Sequence, residues 1–270
     1  MKKIIPKVLI ICLALISLGT STELPPDKYT VIKVEGLITY LSTGIKMNRG
    51  DHFNSNQKLQ FKGAGSRAAV ISKSKGRFVL TPKKSGPTKS NLLPAMSNIS
   101  SRKGEILNTI DLHNYFKDNL LLLGKSAVKV KVKEYPLTKD NFFYLTYQHN
   151  GESIAKKLAF EGNDILLERA SIFTVDEQPI AVPASIQVTL YHRDETKKES
   201  AKISEFSLVL PSEEDLKEEL KIIQSESKDD EFSSSAQAYL AQFYGKIDAD
   251  ELKIWLSANS FLNVDLPNKK

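Results

Sequence analysis

The sequence predicts a mainly β protein, with a small N-terminal β barrel or sandwich, an antiparallel β-sandwich-like second domain and C-terminal helices. Three observations predict this class. Short β-rich runs separated by Gly, Asn and Ser clusters fill 29–81, further strands without intervening helices fill 105–210, and helical periodicity begins only in 211–262. Strands that follow one another through polar turns are typical of antiparallel sheets.

Residues 1–22, which precede these blocks, have the three parts of a secretory signal peptide. A basic start (MKK) is followed by the apolar run Val8–Leu18 and by small and polar residues at 19–22. The apolar run is 11 residues long, whereas a membrane span needs about 20. We therefore expect a cleaved leader and an exported protein with no transmembrane span after cleavage. The expected compartment is the periplasm, and the extracellular space is the alternative.

Removal of the leader changes the charge of the chain. The full sequence has 38 basic and 32 acidic residues, a formal net charge of +6. Without Lys2, Lys3 and Lys7 the balance is 35 against 32, or +3, so the basicity does not indicate nucleic-acid binding. Cys12, the only cysteine, lies within the leader, and we expect the exported protein to contain no disulfide.

The first block, 29–81, has the alternation and the turn residues of a small β domain. Strands are predicted at 29–34, 37–41, 58–61, 68–71 and 77–80. The block also carries four motifs in order: V-x-x-V-x-G (Val31, Val34, Gly36), R-G-D (Arg49, Gly50, Asp51), L-x-F (Leu59, Phe61) and K-G-R-F (Lys75 to Phe78).

In this order the motifs resemble the small periplasmic β domain of the FecR type. The resemblance covers residues 29–82, about a fifth of the chain. It implies that this block is a periplasmic module of a signalling or envelope protein, and that the module is not an enzyme.

The middle of the chain divides into a linker and a second β domain. Three prolines and many serines over 82–104 predict a linker or a long loop. In the second domain, Val128, Val130 and Val132 alternate with lysines, which predicts a strand with one apolar face. Further strands are predicted at 142–148, 154–160, 165–173, 186–191 and 203–210, with a hairpin turn at His149-Asn150-Gly151.

The C-terminal block, 211–262, predicts helices. Leu216, Leu220 and Ile223 share one face of a helix over Glu213–Gln224. Two capping-box patterns follow, Ser234 with Gln237 and Asp248 with Glu251, and they predict the starts of two further helices. Gly245 between them is predicted to end the first.

The sequence predicts no catalytic, metal or cofactor site. The four histidines are isolated, and their spacing is not that of metal ligands: His52, His113, His149 and His192. His149 and His192 are interpreted as solvated residues at a turn and at a strand end. Gly63-Ala64-Gly65-Ser66 is superficially similar to a nucleophile motif and is interpreted as a turn.

Charge segregation is the most informative functional feature. Residues 62–103 contain ten basic residues and no acidic one, whereas 211–231 contains nine acidic residues and three lysines. A local basic field attracts anionic partners even when the net charge is small. The candidate patch for an anionic partner is Lys73, Lys75, Arg77, Lys83, Lys84 and Lys89. The alternatives are a solvated Lys-rich loop and docking of the acidic helix on the basic segment, within one chain or between two copies.

The preferred hypothesis is an exported, non-catalytic binding or scaffolding protein of the cell envelope. Its partner is expected to be an envelope protein or an anionic envelope polymer. The alternative is an exported hydrolase with a divergent active site in the second domain, which requires His149 or His192 to meet carboxylates in a concave pocket.

Overall fold

The computed structural model describes residues 26–83, 86–94 and 105–262, so the predicted leader, 1–22, lies outside the described residues. The strands are β1 (Lys28–Tyr40), β2 (His52–Asn54), β3 (Leu59–Ser72), β4 (Gly76–Lys83), β5 (Gly86–Pro94), β6 (Asn119–Leu121), β7 (Lys125–Lys129), β8 (Asn141–His149), β9 (Glu152–Lys157), β10 (Ala159–Glu161), β11 (Asp164–Glu168), β12 (Thr174–Val175), β13 (Gln178–Pro179), β14 (Ser185–Asp194) and β15 (Glu199–Val209). The helices are α1 (Thr109–Tyr115), α2 (Arg169–Ile172), α3 (Glu213–Glu226), α4 (Phe232–Phe243) and α5 (Ala249–Ala258). The predicted class, mainly β with C-terminal helices, is confirmed.

The N-terminal sheet is an open antiparallel sheet of five strands in the order β2-β1-β3-β4-β5, and it does not close into a barrel. Because side chains alternate along a strand, the sheet has two apolar faces. One face encloses a small core of its own: Tyr29, Val31, Ile38, Met47, Phe53, Leu59, Phe61, Ala68, Val70 and Leu80. The other face, with Ile32, Ala69, Ile71 and Val79, is covered by the C-terminal helices.

Two irregularities in β1 shape this sheet. A bulge between Val31 and Lys33 places both Ile32 and Lys33 on the face toward the helices, since a bulge sets two residues against one on the partner strand. Farther along, Gly36 has φ +76° and lies against Ser66, in the excursion that β3 makes between Lys62 and Arg67. Gly63–Ser66 is therefore part of a bulged strand, and the buried Ser66 hydroxyl donates to the Lys62 carbonyl.

The segment predicted as a linker or loop, 82–104, contains a strand, and the prediction is corrected at this point. β5 pairs antiparallel with β4 from Phe78↔Pro94 to Lys83↔Gly86. β5 is the last strand of the sheet, and an edge strand tolerates proline because one side of its backbone needs no ladder partner. Residues 84–85 and 95–104 lie outside the described residues.

The second domain packs a five-stranded sheet, β6-β15-β14-β8-β9, against a three-stranded sheet, β10-β11-β7. The valines at 128, 130 and 132 are buried between them, as predicted. The hairpin at Asn150-Gly151 is also confirmed, because both residues have positive φ and His149 pairs with Glu152. One pairing departs from the antiparallel pattern, since β6 runs parallel to β15.

The C-terminal helices do not form a separate tail. Their apolar side chains pack on the N-terminal sheet and on Leu121 and Leu123 of the second domain. Asp248 caps α5, as the sequence predicts, and Ser212 caps α3. The prediction that Ser234 and Gln237 form a capping box is wrong. Helix α4 begins at Phe232, whose ring is buried against Phe261. Ser234 lies within the first turn and donates to the Glu231 carbonyl.

Gly245 follows α4 with φ +121°, where a Cβ atom would lie 2.5 Å from the Asn119 carbonyl oxygen. This close approach brings the end of α4 against β6. In the described part of the chain, no helix is long and apolar enough to cross a bilayer.

Candidate functional site: a polar groove and a buried charged cluster

The predicted basic patch is divided by the fold. Lys73 and Lys75 lie in the turn between β3 and β4, where Lys75 forms an ion pair with Asp27 at 2.5 Å. Arg77 is half-buried beneath α4, with its guanidinium carbon 5.9 Å from the centre of the Tyr239 ring. Burial lowers the pKa of Arg77 to about 10. Lys73 is thus the exposed cation of this group that has no ion pair with another described residue.

The remaining patch residues lie elsewhere. Lys83 is exposed at the far end of β4, roughly 26 Å along the strand from Lys75 at about 3.3 Å per residue. Lys84 and the side chain of Lys89 lie outside the described residues. The six residues therefore follow the length of a hairpin and do not converge on one point.

The structure places Lys73 at the rim of a polar groove of about 700 Å³, which we call the polar groove. Its floor follows from strand register, because Lys28 is paired with Asn54 and Thr30 with His52, and alternate residues share a face. The turn after β3 and the last turn of α3 line the groove as well. The lining residues are Lys28, Thr30, His52, Phe53, Asn54, Gln57, Ser72, Lys73, Ser74 and Glu226.

A hydrogen-bonded chain crosses the floor of the polar groove. The Thr30 hydroxyl donates to Glu226 Oε1 at 3.2 Å and lies 3.0 Å from His52 Nδ1. A hydroxyl has one proton, so a Thr30 that donates to Glu226 accepts from His52, and the neutral imidazole then carries its proton on Nδ1. His52 is in this arrangement a donor to Thr30 and not a base that activates it.

The charges of the polar groove are unequal. Lys28 and Lys73 are exposed, and neither forms an ion pair with another described residue. Glu226 is the one carboxylate among the lining residues. Hydroxyl groups of Ser72 and Ser74 lie 3.1 Å apart beside them, and Ser72 is only 3% exposed. The groove therefore offers two cations, several neutral polar groups and one anionic acceptor.

A second cluster of charges lies where the N-terminal sheet meets α3, beside a cleft of about 380 Å³. Its centre is the Glu219 carboxylate, which is 2% exposed. Tyr239 and Tyr244 donate to Glu219 Oε2 at 2.7 and 2.5 Å. Lys33 lies 3.4 Å from Oε1 and donates to the Tyr244 hydroxyl at 2.6 Å. We call these four residues the Glu219 cluster.

Arg49, from the R-G-D motif, extends the Glu219 cluster toward solvent. Its guanidinium nitrogens lie 3.0 Å from Asp215 Oδ1 and contact Glu218 on the same helix. Gly50 allows this approach because the turn needs its φ of +84°. The motif arginine thus connects the N-terminal sheet to α3.

The tyrosines of the Glu219 cluster remain protonated donors. Burial raises the pKa of Tyr239 and of Tyr244 far above the ordinary value, and the nearby Glu219 charge raises both further. A buried carboxylate needs such donors, since an unpaired buried charge is costly. The cluster therefore stabilises the contact between the sheet and the helices.

A comparable contact joins the helices to the second domain. Glu251 of α5 is buried and accepts from the backbone N–H groups of Leu123 and Gly124 at 2.7 and 3.2 Å. Burial raises the pKa of Glu251. The second capping-box pattern therefore places its glutamate against another domain, and Asp248 alone caps the helix.

The histidines of the second domain do not meet. His192 was expected to be solvated, but it is 5% exposed and packs against Tyr135 and Phe143, with Nε2 donating to the Pro136 carbonyl at 3.0 Å. This correction follows from strand alternation, since His192 points to the same face as Leu190. His149 lies at the far end of β8, roughly 20 Å along the strand from Phe143, the partner of His192. The hydrolase alternative thus has no support from this pair.

The described residues also form no cluster of the side chains that usually bind metals. Among the residues that the structure describes, no three side chains of His, Cys, Asp or Glu gather as a metal site would require.

Sequence reasoning missed most of the polar groove. The pairs Lys28-x-Thr30 and His52-x-Asn54 have the two-residue spacing of one strand face, and this spacing is the signal that could have connected them. Glu226 carries no such signal, because it reaches Thr30 from a position 196 residues away in the sequence.

Comparisons with known proteins add no assignment. No family model matches this chain, and no curated protein matches it significantly.

Proposed function

We propose that this protein is an exported, non-catalytic binding or scaffolding protein of the cell envelope, with an N-terminal module of the FecR type. The observation that carries the proposal is the different use of two groups of charges. The buried carboxylates, Glu219 and Glu251, are engaged in contacts between structural units. Lys28 and Lys73, in contrast, are exposed over an open groove.

This division is what a scaffold with one recognition surface requires. Contacts such as Lys33–Glu219 and Glu251–Leu123 connect the N-terminal sheet, the helices and the second domain. The groove residues can then be held in fixed positions, and a preorganised surface loses less entropy on binding. Exposed lysines attract an anionic partner, and salt screens that attraction.

The partner class that fits is an anionic envelope polymer or an acidic surface of an envelope protein. Lys73 and Lys83 are the exposed cations of the predicted patch that have no ion pair with another described residue. They lie near the two ends of β4, so a partner that engages both must be extended over roughly 25 Å.

The proposal is tested by retention of envelope extracts on the immobilised protein over a series of salt concentrations. We expect retention at low salt that decreases as salt rises, together with weaker retention by Lys73→Glu and Lys83→Glu. The matched control is Lys133→Glu, which makes the same charge change at an exposed position of the second domain. Retention of nothing at low salt, or equal retention by all three variants, would overturn the proposal.

A further inference from the structure

The polar groove combines groups that a simple anion does not need. Lys28 and Lys73 provide positive charge, whereas Glu226 provides a carboxylate within the same groove. Asn54, Ser72 and Ser74 add neutral donors and acceptors. From this combination we infer that the groove binds a saccharide that carries a carboxylate or phosphate group. The inference rests on the proposed binding function and names the ligand class of the groove.

The two lysines account for the acidic group. An ammonium group provides three donors and a compact charge, and it binds carboxylates and phosphates by charge-assisted hydrogen bonds. Both lysines line the polar groove, Lys28 from the start of β1 and Lys73 from the turn after β3. Their charges therefore act on a ligand in the same groove.

The Glu226 carboxylate is the group that would bind the hydroxyl groups of the sugar. Saccharide hydroxyls are donors, and a carboxylate accepts from them more strongly than a neutral oxygen does. Glu226 already accepts from Thr30 through Oε1, and an ionised carboxylate has further acceptor sites on its two oxygens. The hydrogen-bonded chain His52–Thr30–Glu226 holds this carboxylate in place at the wall of the groove.

The same carboxylate disfavours a bare polyanion. Glu226 repels a second negative charge at its side of the groove, while it still accepts from hydroxyl groups. A ligand that is acidic at one end and hydroxylated at the other matches both sides. The groove volume of about 700 Å³ lies within the range of small-molecule sites, about 300–1,000 Å³.

The test measures binding to the purified full chain by isothermal titration calorimetry with four probes. Glucuronate and glucose 6-phosphate are the acidic sugars, maltotriose is the neutral sugar, and inorganic phosphate is the bare anion. We expect an acidic sugar to bind at least about ten-fold more tightly than maltotriose or phosphate, since the groove is matched to both groups. Preference for glucuronate indicates a uronic acid as the natural group, and preference for glucose 6-phosphate indicates a phosphorylated sugar.

Three variants locate the binding. Lys73→Ala should weaken binding of the acidic sugar about ten-fold, and Lys62→Ala, which removes an exposed lysine of the same strand pair outside the groove, should leave it unchanged. Glu226→Ala should weaken the acidic sugar and strengthen inorganic phosphate. Circular dichroism confirms that each variant is folded before it is titrated.

Binding of phosphate or maltotriose as tightly as the acidic sugars would overturn the inference, as would binding of none of the four probes. An unchanged affinity in Lys73→Ala would do the same. These outcomes differ from failure of the proposed function, in which envelope extracts give no salt-sensitive retention at all.

Discussion

Lys33 and Glu219 are 186 positions apart in the sequence, and their charged groups lie 3.4 Å apart at the junction of the N-terminal sheet and α3. The bulge in β1 makes this meeting geometrically feasible, because it places Lys33 beside Ile32 on the face that the helices cover. The lysine therefore reaches a carboxylate that is otherwise surrounded by buried tyrosines.

Glu219→Gln should destabilise the protein by about 2–4 kcal/mol. The substitution leaves Lys33 half-buried without its counter-charge and removes a strong acceptor from Tyr239 and Tyr244. Urea unfolding monitored by circular dichroism measures the change.

The matched control is Glu218→Gln, one position earlier on α3. Glu218 is largely exposed and contacts Arg49 at the surface. Exposed ion pairs contribute about 0–1 kcal/mol, so this variant should remain close to wild type. Equal unfolding free energies for the two variants would show that burial of Glu219 has no special role.

Gly36→Ala should destabilise the N-terminal sheet by at least about 2 kcal/mol, since a strained backbone costs about 1–3 kcal/mol and a clash is added. A Cβ at position 36 would lie 2.6 Å from Ser66 Oγ and 3.0 Å from Ser66 Cα, and φ is +76°. Gly44 has φ +70° and open space around it, so Gly44→Ala reports the backbone strain alone. Thermal unfolding of both variants separates the effect of the clash from that of the backbone strain. A smaller loss of stability for Gly36→Ala than for Gly44→Ala would contradict the prediction.

His192 should make the protein less stable as the pH falls. Burial lowers the pKa of His192 below its ordinary value of 6.5, an effect that the Pro136 carbonyl and Asp194 partly oppose. The unfolded chain then binds a proton at a higher pH than the folded protein does. The contribution of His192 to stability is therefore fully present above pH 6.5 and is lost as the pH falls through the folded pKa.

Urea midpoints measured between pH 7.5 and 5 test this in wild type and in His192→Gln. The variant lacks the titrating group, so its deficit relative to wild type should be largest at pH 7.5 and should shrink toward pH 5. His149→Gln keeps His192 and should follow the wild-type slope. A deficit of His192→Gln that is constant with pH would count against the buried imidazole as the source.

Glu251 should have the opposite pH dependence. Burial raises the pKa of Glu251 above its ordinary value of 4.5, so the folded protein keeps its proton to a higher pH than the unfolded chain. Stability is therefore lost as pH rises from 4.5 through the folded pKa. Glu251→Gln lacks this loss and should compare more favourably with wild type at pH 7 than at pH 4. Glu251→Ala lacks the titrating group as well and also leaves two backbone N–H groups without their acceptor, so it should be about 2–4 kcal/mol less stable than Glu251→Gln at both pH values. The free energy of unfolding in urea measures both effects, and a Glu251→Gln difference that does not vary with pH would exclude this role.

Local patterns predicted much of the fold. Alternation identified the buried faces of the valines at 128, 130 and 132, and the Asn150-Gly151 turn fixed the register of its hairpin. These features depend on neighbours within a few residues, where backbone preferences are strongest. The start of α4 was misplaced because burial of Phe232 against Phe261, a distant contact, extends the helix past the local capping pattern.

The candidate site was predicted in small part. Lys73 was singled out because its neighbourhood is basic, and it does lie at the polar groove. Arg77 belongs to the same run, yet its guanidinium lies under α4, near Tyr239 and Gln242. A count of charges cannot distinguish the exposed Lys73 from the half-buried Arg77. The difference depends on which face of the strands packs against a helix that lies more than 150 residues later in the sequence.

Covering of the N-terminal sheet by the C-terminal helices also sets the order of events during synthesis. Val79 and Phe261 belong to one apolar core, and about 180 residues separate them, which a ribosome adds in roughly 10–40 s. Ile32, Ala69, Ile71 and Val79 have no helix to cover them until α3 has been made, and the core that contains them is incomplete until Phe261 follows. The β domain that is synthesised first is thus completed last. During that interval the nascent chain exposes an apolar surface to which chaperones can bind.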